Sequence, residues 1–493
     1  MRQKIGLLGA PILFVGMLLL PSPEGMTTAS HMTAAIALLM AWLWITEGIP
    51  IPATSLLPLA LFPLCNITPT ATVAASYGDK NIFLFMGGFF IAIALERWNL
   101  HRRIALHTIL LVGTQPRRLI IGFIIASAGL SMWISNTATV LMMYPLALAI
   151  LRSLEAVSDQ DGDGLRGFQT AGMLAIAYAA SIGGMATVIG TPPNLVFAGL
   201  STTLYPEAGE VSFVRWLAVG LPVVLIFLPI LAMLLIRLFR VKAGSGEVGK
   251  TVIRKRLDEM GSMQRGEKLV LFVFLLCAFG WIFRKTTDIG FITLPGWTNM
   301  LGISDTVDDA AIAIGAAVLL FLIPVDFKKG LYLLNWDEAK RIPWGILLLF
   351  GGGIAIATGF REAGLSTWVG ERLSQITMDS PLILMGSVCS VMTFLTEMTS
   401  NTATSTIFLP IVGSLSTSLA MHPYLLMIPA TLSASCAFML PVATPTNAIV
   451  FSSGHVSILD MVKAGIVLNL VGIVLISVIF YFISLPILGL TAM

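Results

Sequence analysis

Two copies of one polar pentapeptide stand out in this chain. "SNTAT" occurs at residues 135–139 and again at 400–404, each inside strongly apolar sequence, "LSMWISNTATVLMMYP" and "FLTEMTSNTATSTIFLP". A second motif follows each copy, "GTPPN" at 190–194 and "ATPTN" at 443–447. Hydroxyl, amide and main-chain carbonyl oxygens are hard ligands without formal charge, which suits a hard monovalent cation such as Na+. Proline removes a donor and stops the preceding turn, and Asn, Ser and Thr compete for the freed backbone groups. A helix broken at such a motif exposes N–H groups at one half-helix end, which favours an anion, and carbonyls at the other, which favours a cation. No Lys or Arg lies within any of the four motifs. An anion held there therefore depends on dipoles, hydroxyls, amides and co-bound cations. Two related breaks predict two cation sites around one anion.

The elements that position these motifs are set by composition. Of 493 residues 56% are hydrophobic and 11% charged, with a mean hydropathy of +0.91. Soluble domains carry about a quarter charged residues, so the chain reads as an all-α polytopic membrane protein. Apolar runs recur from residues 5–20 to 461–485, several of them short or broken by Pro and Gly. Arg2 and Lys4 precede the first run, but "PSPEG" follows it instead of a small-residue cleavage motif, so it is read as a first transmembrane helix and not as a signal peptide. Cys65, Cys277, Cys389 and Cys436 form no CxxC or Cys/His cluster, which argues against a disulfide framework or a zinc site. A net charge of +3 is explained by cytoplasmic loops and not by a nucleic-acid surface.

The motifs belong to a longer repeat. "IFLFMGGFFIAIA" at 82–94 is echoed by "ILLLFGGGIAIA" at 346–357, pairing Phe85 with Phe350 and Gly87 with Gly352 at a shift of 265 residues. Ser135 and Ser400, and Pro145 and Pro410, keep that shift, while the Thr-Pro-x-Asn motifs are offset by 253. Two halves of this kind are what a duplication leaves. Basic residues concentrate in 96–118 (Arg97, Arg102, Arg103, Arg117, Arg118) and in 237–268, which carries nine, so both segments and the N-terminus are predicted cytoplasmic and 284–309 external. The second-half counterpart of 96–118, residues 361–381, has two basic and three acidic residues. One lies inside and the other outside, so the repeats are inverted.

The run at 119–151 is too long for one crossing of about 20 residues, and its polar break is central. A re-entrant helical hairpin near 118–151 follows, with SNT at its tip. The sequence thus divides into a first transmembrane helix (1–31), a first repeat (32–240) with a broken helix near 170–200, a cytoplasmic basic linker (241–268), and a second, inverted repeat (269–493) with a hairpin near 381–420 and a broken helix near 424–455. The C-terminus is predicted external.

At the SNT, TPPN, TPTN and GG-helix residues the chain resembles the divalent anion/sodium symporter family of dicarboxylate, citrate and sulfate carriers. "LSMWISNTAT" and "CAFMLPVATP" resemble bacterial sodium–dicarboxylate members in particular. The resemblance implies about eleven transmembrane helices, two opposed re-entrant hairpins, a homodimer and elevator-type movement of a transport domain. It implies a first Na+ site at Ser131, Ser135, Asn136 and Gly190 and a second at Thr396, Thr399, Asn401 and Ala443. Asn136, Thr137, Thr191, Ser400, Asn401, Thr402, Thr444 and Pro445 then face the substrate carboxylates. Two positions depart from the family pattern: Thr191 stands where serine is frequent, narrowing the pocket by a methyl, and Thr446 replaces a second proline, loosening the second break.

The function expected is Na+-coupled symport of a C4-dicarboxylate such as succinate, with sodium-independent dicarboxylate exchange or Na+-coupled citrate or sulfate transport as alternatives. No HExxH, GxSxG or paired membrane Asp suggests an enzyme, and an inverted repeat with midplane breaks argues against a passive channel. "DQDGDG" at 159–164 opens like an EF-hand loop, but its twelfth position is Thr170 where a bidentate Glu is required, so it reads as an acidic turn. Glu47 and Glu397 are acids in apolar sequence, each either paired with a neighbouring helix or functional. Glu397 lies close enough to Ser400 to influence the second cation site or carry a proton. His455 reads as structural.

Overall fold

The computed structural model describes residues 2–155, 162–242, 247–288, 293–373 and 380–490. Within them the chain is helical apart from two short antiparallel strand pairs, Thr287–Asp288 with Thr293–Leu294 and Pro324–Asp326 with Leu331–Tyr332. Among the described residues, five helical stretches are long and apolar enough to cross a bilayer: Thr28–Thr46, Thr70–Arg97, Phe213–Leu238, Trp344–Glu362 and Ile458–Leu488. Their outer faces present large apolar side chains such as Leu225, Ile226, Val474 and Phe482. So broad an apolar exterior is matched by hydrocarbon and not by water. The first helix, Arg2–Leu19, packs on Thr28–Thr46, where Gly9 meets the Trp42 indole.

Helix starts follow local chemistry. Thr27, Asp79 and Asp308 each accept a first-turn N–H, and Ser457 with Asp460 forms a reciprocal capping box. The two GG helices, Lys80–Arg97 and Trp344–Glu362, meet at the Phe85 and Phe350 rings, 5.5 Å apart. Gly87 packs on the backbone of Ala313 and Gly352 on that of Ser55, contacts too close for any side chain.

Each SNT motif forms the turn between two antiparallel helices. The first hairpin runs through Pro116–Ser131 and Asn136–Glu155, the second through Pro381–Thr396 and Asn401–Ser418. Both entering arms begin at proline, which suits a first-turn position because its missing N–H has no helical partner there. Each Thr-Pro-x-Asn motif restarts a broken helix: Gly162–Gly184 gives way to Pro192–Leu204, and Tyr424–Ser433 to Pro445–Phe451.

Two segments read as polar connections also fold. Leu100–Val112 lies between a spanning helix and the first hairpin, and Glu247–Met260 lies within the basic linker. Neither is apolar enough to register as a span. Of the EF-hand-like stretch, residues 159–161 lie outside the described residues, while Gly162 starts a helix in which the Thr170 hydroxyl donates to the His455 carbonyl at 2.8 Å. Thr170 is thereby committed to a helix contact and not to a calcium loop.

Candidate functional site

The two hairpin tips are built alike. The entering arm ends on a hydroxyl residue and the returning arm begins on asparagine five residues later: Ser131 and Asn136, Thr396 and Asn401. Around Asn136 three oxygens converge on one end of the amide, Ser131 Oγ at 2.5 Å and the carbonyls of Gly190 and Ala180 at 3.2 Å each. Oxygens gathered on one point require a positive partner. With its nitrogen turned toward them the amide N–H groups supply it, and this orientation is the satisfied one in the protein alone. With Oδ1 turned toward them the set becomes four oxygens, the coordination of a hard cation. Gly184 keeps this space open, since a Cβ there would lie 2.7 Å from the Asn136 amide.

In the second tip Thr396 Oγ1 lies 2.6 Å from Asn401 Oδ1 and 2.9 Å from the Ala434 carbonyl. One hydroxyl proton cannot serve both acceptors. Three oxygens share one hydroxyl proton in this orientation, and like those around Asn136 they attract a positive partner.

The remaining predicted residues divide. Ser135 Oγ accepts the Ala138 N–H at 3.2 Å, and Thr399 turns back to Leu395 O at 2.9 Å and Thr404 Oγ1 at 2.5 Å. Ala443 N–H bonds Leu440 O at 3.2 Å. Thr191 and Thr444 are extended N-caps directly before Pro192 and Pro445. Among the described residues no hydrogen bond joins Asn136 or Thr137 to Ser400, Asn401 or Thr402; the two tips remain separate clusters. Thr446, expected to loosen the second break, has its hydroxyl 2.8 Å from that of Thr444, a bond that proline does not make.

Sequence reasoning missed what holds the breaks. Asn194 Nδ2 donates to Gly184 O at 3.1 Å and Thr187 O at 2.8 Å; Asn447 Nδ2 donates to Ala437 O and Leu440 O at 3.0 Å each. Each amide reaches back ten and seven residues to satisfy carbonyls that the interrupted helix has freed. The Asn at a constant place after Thr-Pro was the available signal, but it was read only as part of the break.

The breaks differ in how they meet the tips. In the first, the Thr187 hydroxyl donates to Met132 O at 2.5 Å. The residue 265 positions after Met132 is Glu397, and it too accepts from its break, through its side chain instead of its main chain. Glu397 Oε1 accepts the N–H groups of Phe438 at 2.7 Å and Met439 at 2.9 Å together with Asn469 Nδ2 at 2.7 Å, and Oε2 accepts Leu440 N–H at 3.2 Å. Four donors thus converge on one buried side chain. Glu47, by contrast, is an exposed left-handed C-cap. The two halves are also tied directly, as Tyr178 on the first broken helix donates its hydroxyl to Phe438 O at 2.6 Å.

Residues 2–488 match the model of the sodium:sulfate symporter transmembrane region. The chain is 45% identical to a sodium-dependent dicarboxylate transporter SdcS of Staphylococcus saprophyticus over 492 residues, covering 99% of this chain and 92% of the relative. It is 41% identical to the SdcS of Staphylococcus aureus over 491 residues, with the same coverage. Among solved structures, the Alcanivorax borkumensis YdaH transporter superposes with a TM-score of 0.56 at 11% identity, covering 92% of this chain and 97% of that one. Neisseria gonorrhoeae MtrF gives 0.56 at 10% identity, covering 98% and 96%. At such low identity these two likenesses concern the fold alone. By the family model and the relatives of high identity, the chain belongs to the sodium:sulfate symporter family and is a multi-pass membrane transporter, not an enzyme.

Proposed function

We propose that this protein is a secondary active transporter that moves a C4-dicarboxylate such as succinate across the cell membrane together with Na+. The observation that carries this reading is the pair of oxygen-rich clusters, Ser131–Asn136–Gly190 and Thr396–Asn401, each at the start of a long helix and free of cationic side chains. Sodium entering each cluster satisfies its oxygens. The bound charges and the two helix N-termini then attract a dianion into the space between them.

In this reading Ser135 and Gly190 complete the first Na+ site, and Thr399 and Ala443 the second, through hydroxyl or carbonyl oxygens. Thr137, Thr191, Ser400, Thr402, Thr444 and Pro445 join the two asparagines in lining the substrate space. With no Lys or Arg to hold it, the dianion leaves once the cations leave, which couples the two fluxes. The names of the staphylococcal relatives support sodium and a dicarboxylate as the coupled pair. The matched hairpins and breaks support an inverted repeat of about eleven crossings, with the N-terminus cytoplasmic and the C-terminus external. Alternation proceeds by elevator movement of the hairpins and broken helices within a homodimer.

The test is uptake of labelled succinate, citrate and sulfate into proteoliposomes with and without an inward Na+ gradient. Succinate uptake that saturates and rises with the gradient is expected. Uptake that ignores the gradient and requires internal dicarboxylate establishes sodium-independent exchange instead.

A further inference from the structure

Away from the hairpin tips, three cationic side chains gather around one open pocket at the foot of the first hairpin. The pocket, about 350 Å³, is lined by Arg118, Lys250 and Arg254, with Glu247, the 113–115 turn and Leu110 completing its wall. We propose that this pocket binds the phosphate headgroup of an anionic phospholipid.

The walls are brought together by backbone geometry. Gly113 has a φ of 117°, a conformation that side chains disfavour, and a Cβ there would lie 2.8 Å from Arg118 Cδ. The turn therefore lets Arg118 fold over it. Gly249 is buried, and a Cβ there would lie 3.2 Å from Thr114 O, so Glu247–Met260 rests directly on the turn. Two glycines thus bring Lys250 and Arg254 to the same opening as Arg118.

The charges are unmatched. Three neighbouring cations of this face have partners: Arg103 pairs with Glu267 at 2.5 Å, Arg256 with Glu259 at 3.3 Å, and Arg117 Nε donates to Val241 O at 2.9 Å. Among the described residues no carboxylate pairs with Arg118, Lys250 or Arg254, although Glu247 shares the pocket. A basic loop that serves only to orient the chain needs neither a pocket nor convergence. Three unpaired cations around one concavity fit a phosphate.

The surroundings select a lipid over a soluble phosphate. Leu100–Val112 joins a spanning helix to the first hairpin, so the pocket lies at the depth where headgroups lie. Leu111, next to the lining Leu110, is 87% exposed, an apolar surface beside the charged opening along which an acyl chain can run.

The test is native mass spectrometry of the full chain released from nanodiscs of equal phosphatidylcholine and phosphatidylglycerol. Retained phosphatidylglycerol is expected in excess. Each of Arg118→Gln, Lys250→Gln and Arg254→Gln should lower its retention about fivefold, the equivalent of roughly 1 kcal/mol per cation. Arg256→Gln, whose partner is Glu259, should change it far less. Leu111→Asn should lower lipid retention while leaving the charges in place. No preference between the two lipids, or an equal loss on Arg256→Gln, overturns the site. Displacement of the lipid by millimolar inorganic phosphate overturns its assignment to a lipid.

Discussion

Glutamine at position 397 keeps the size of the side chain and removes its ability to accept on both ends. Glu397 Oε1 can be replaced by the amide oxygen, which still receives Phe438, Met439 and Asn469. The Oε2 position becomes an amide nitrogen facing the Leu440 N–H, two donors 3.2 Å apart in a buried site. Orphaning that N–H costs about 1–3 kcal/mol, and the three remaining bonds, no longer charge-assisted, each lose about half their strength. The combined loss is about 4 kcal/mol. It falls on the stretch that leads into Ala443, a proposed ligand of the second cation, whose N–H bonds Leu440 O. If a third of the loss appears in cation binding, half-saturating Na+ rises about tenfold. Glu397→Gln should therefore lower the thermal unfolding midpoint of the purified protein and raise half-saturating Na+ for succinate uptake. A variant with both values unchanged refutes the role of Glu397 in holding the second break.

Three further outcomes follow from the same geometry. Asn136→Ala and Asn401→Ala each remove a proposed oxygen ligand shared by cation and substrate and should abolish gradient-driven uptake in proteoliposomes; full activity in either contradicts the site. Asn447→Leu orphans the Ala437 carbonyl and leaves the Leu440 carbonyl only its bond from the Ala443 N–H, a loss of about 1–3 kcal/mol that should appear as reduced yield of monodisperse protein and a lower unfolding midpoint. Gly87→Ala places a Cβ 2.6 Å from the Ala313 carbonyl carbon, and the forced separation of the two helices should cost about 1–3 kcal/mol in thermal unfolding.

The helical membrane architecture and both hairpin turns were legible because their signals are local. Composition marks the spans, proline at 116 and 381 marks the arms, and SNT marks each turn. The Ser131–Asn136 and Thr396–Asn401 contacts lie only five residues apart, so a motif can specify them. The carbonyls of Ala180 and Ala434 were not legible, since any residue supplies a carbonyl and only packing decides which one faces the tip. Glu397 was visible as an oddity, but its donors lie 41–43 and 72 residues away. The short helices at Leu100–Val112 and Glu247–Met260 escaped because their polarity, which marks them as surface elements, also masks them from hydropathy.

What the two halves share and where they part indicates which features each break needs. Both keep the hydroxyl–asparagine tip and the asparagine that ties back two carbonyls. The tip supplies the oxygens, while the tie satisfies acceptors stranded wherever a helix stops. They part at the contact between tip and break. A break that meets the tip through Thr187 needs one acceptor, because its neighbouring N–H groups have other partners: Met185 bonds Ile182 O, and Ala186 bonds Gly183 O. The second break presents three consecutive N–H groups at 438–440, more than one carbonyl can receive. A carboxylate with two acceptor oxygens meets that demand, and the dipoles it receives offset its charge where a membrane would otherwise make it costly. Glu397 thus belongs to the scaffolding of the proposed second cation site. Its replacement should therefore weaken the second site's Na+ affinity more than the first's, detectable as a change in the steepness of the Na+ dependence. An unchanged steepness alongside a shifted half-saturation would mean that both sites are affected equally, and that the two breaks are held as one unit through Tyr178 and Phe438.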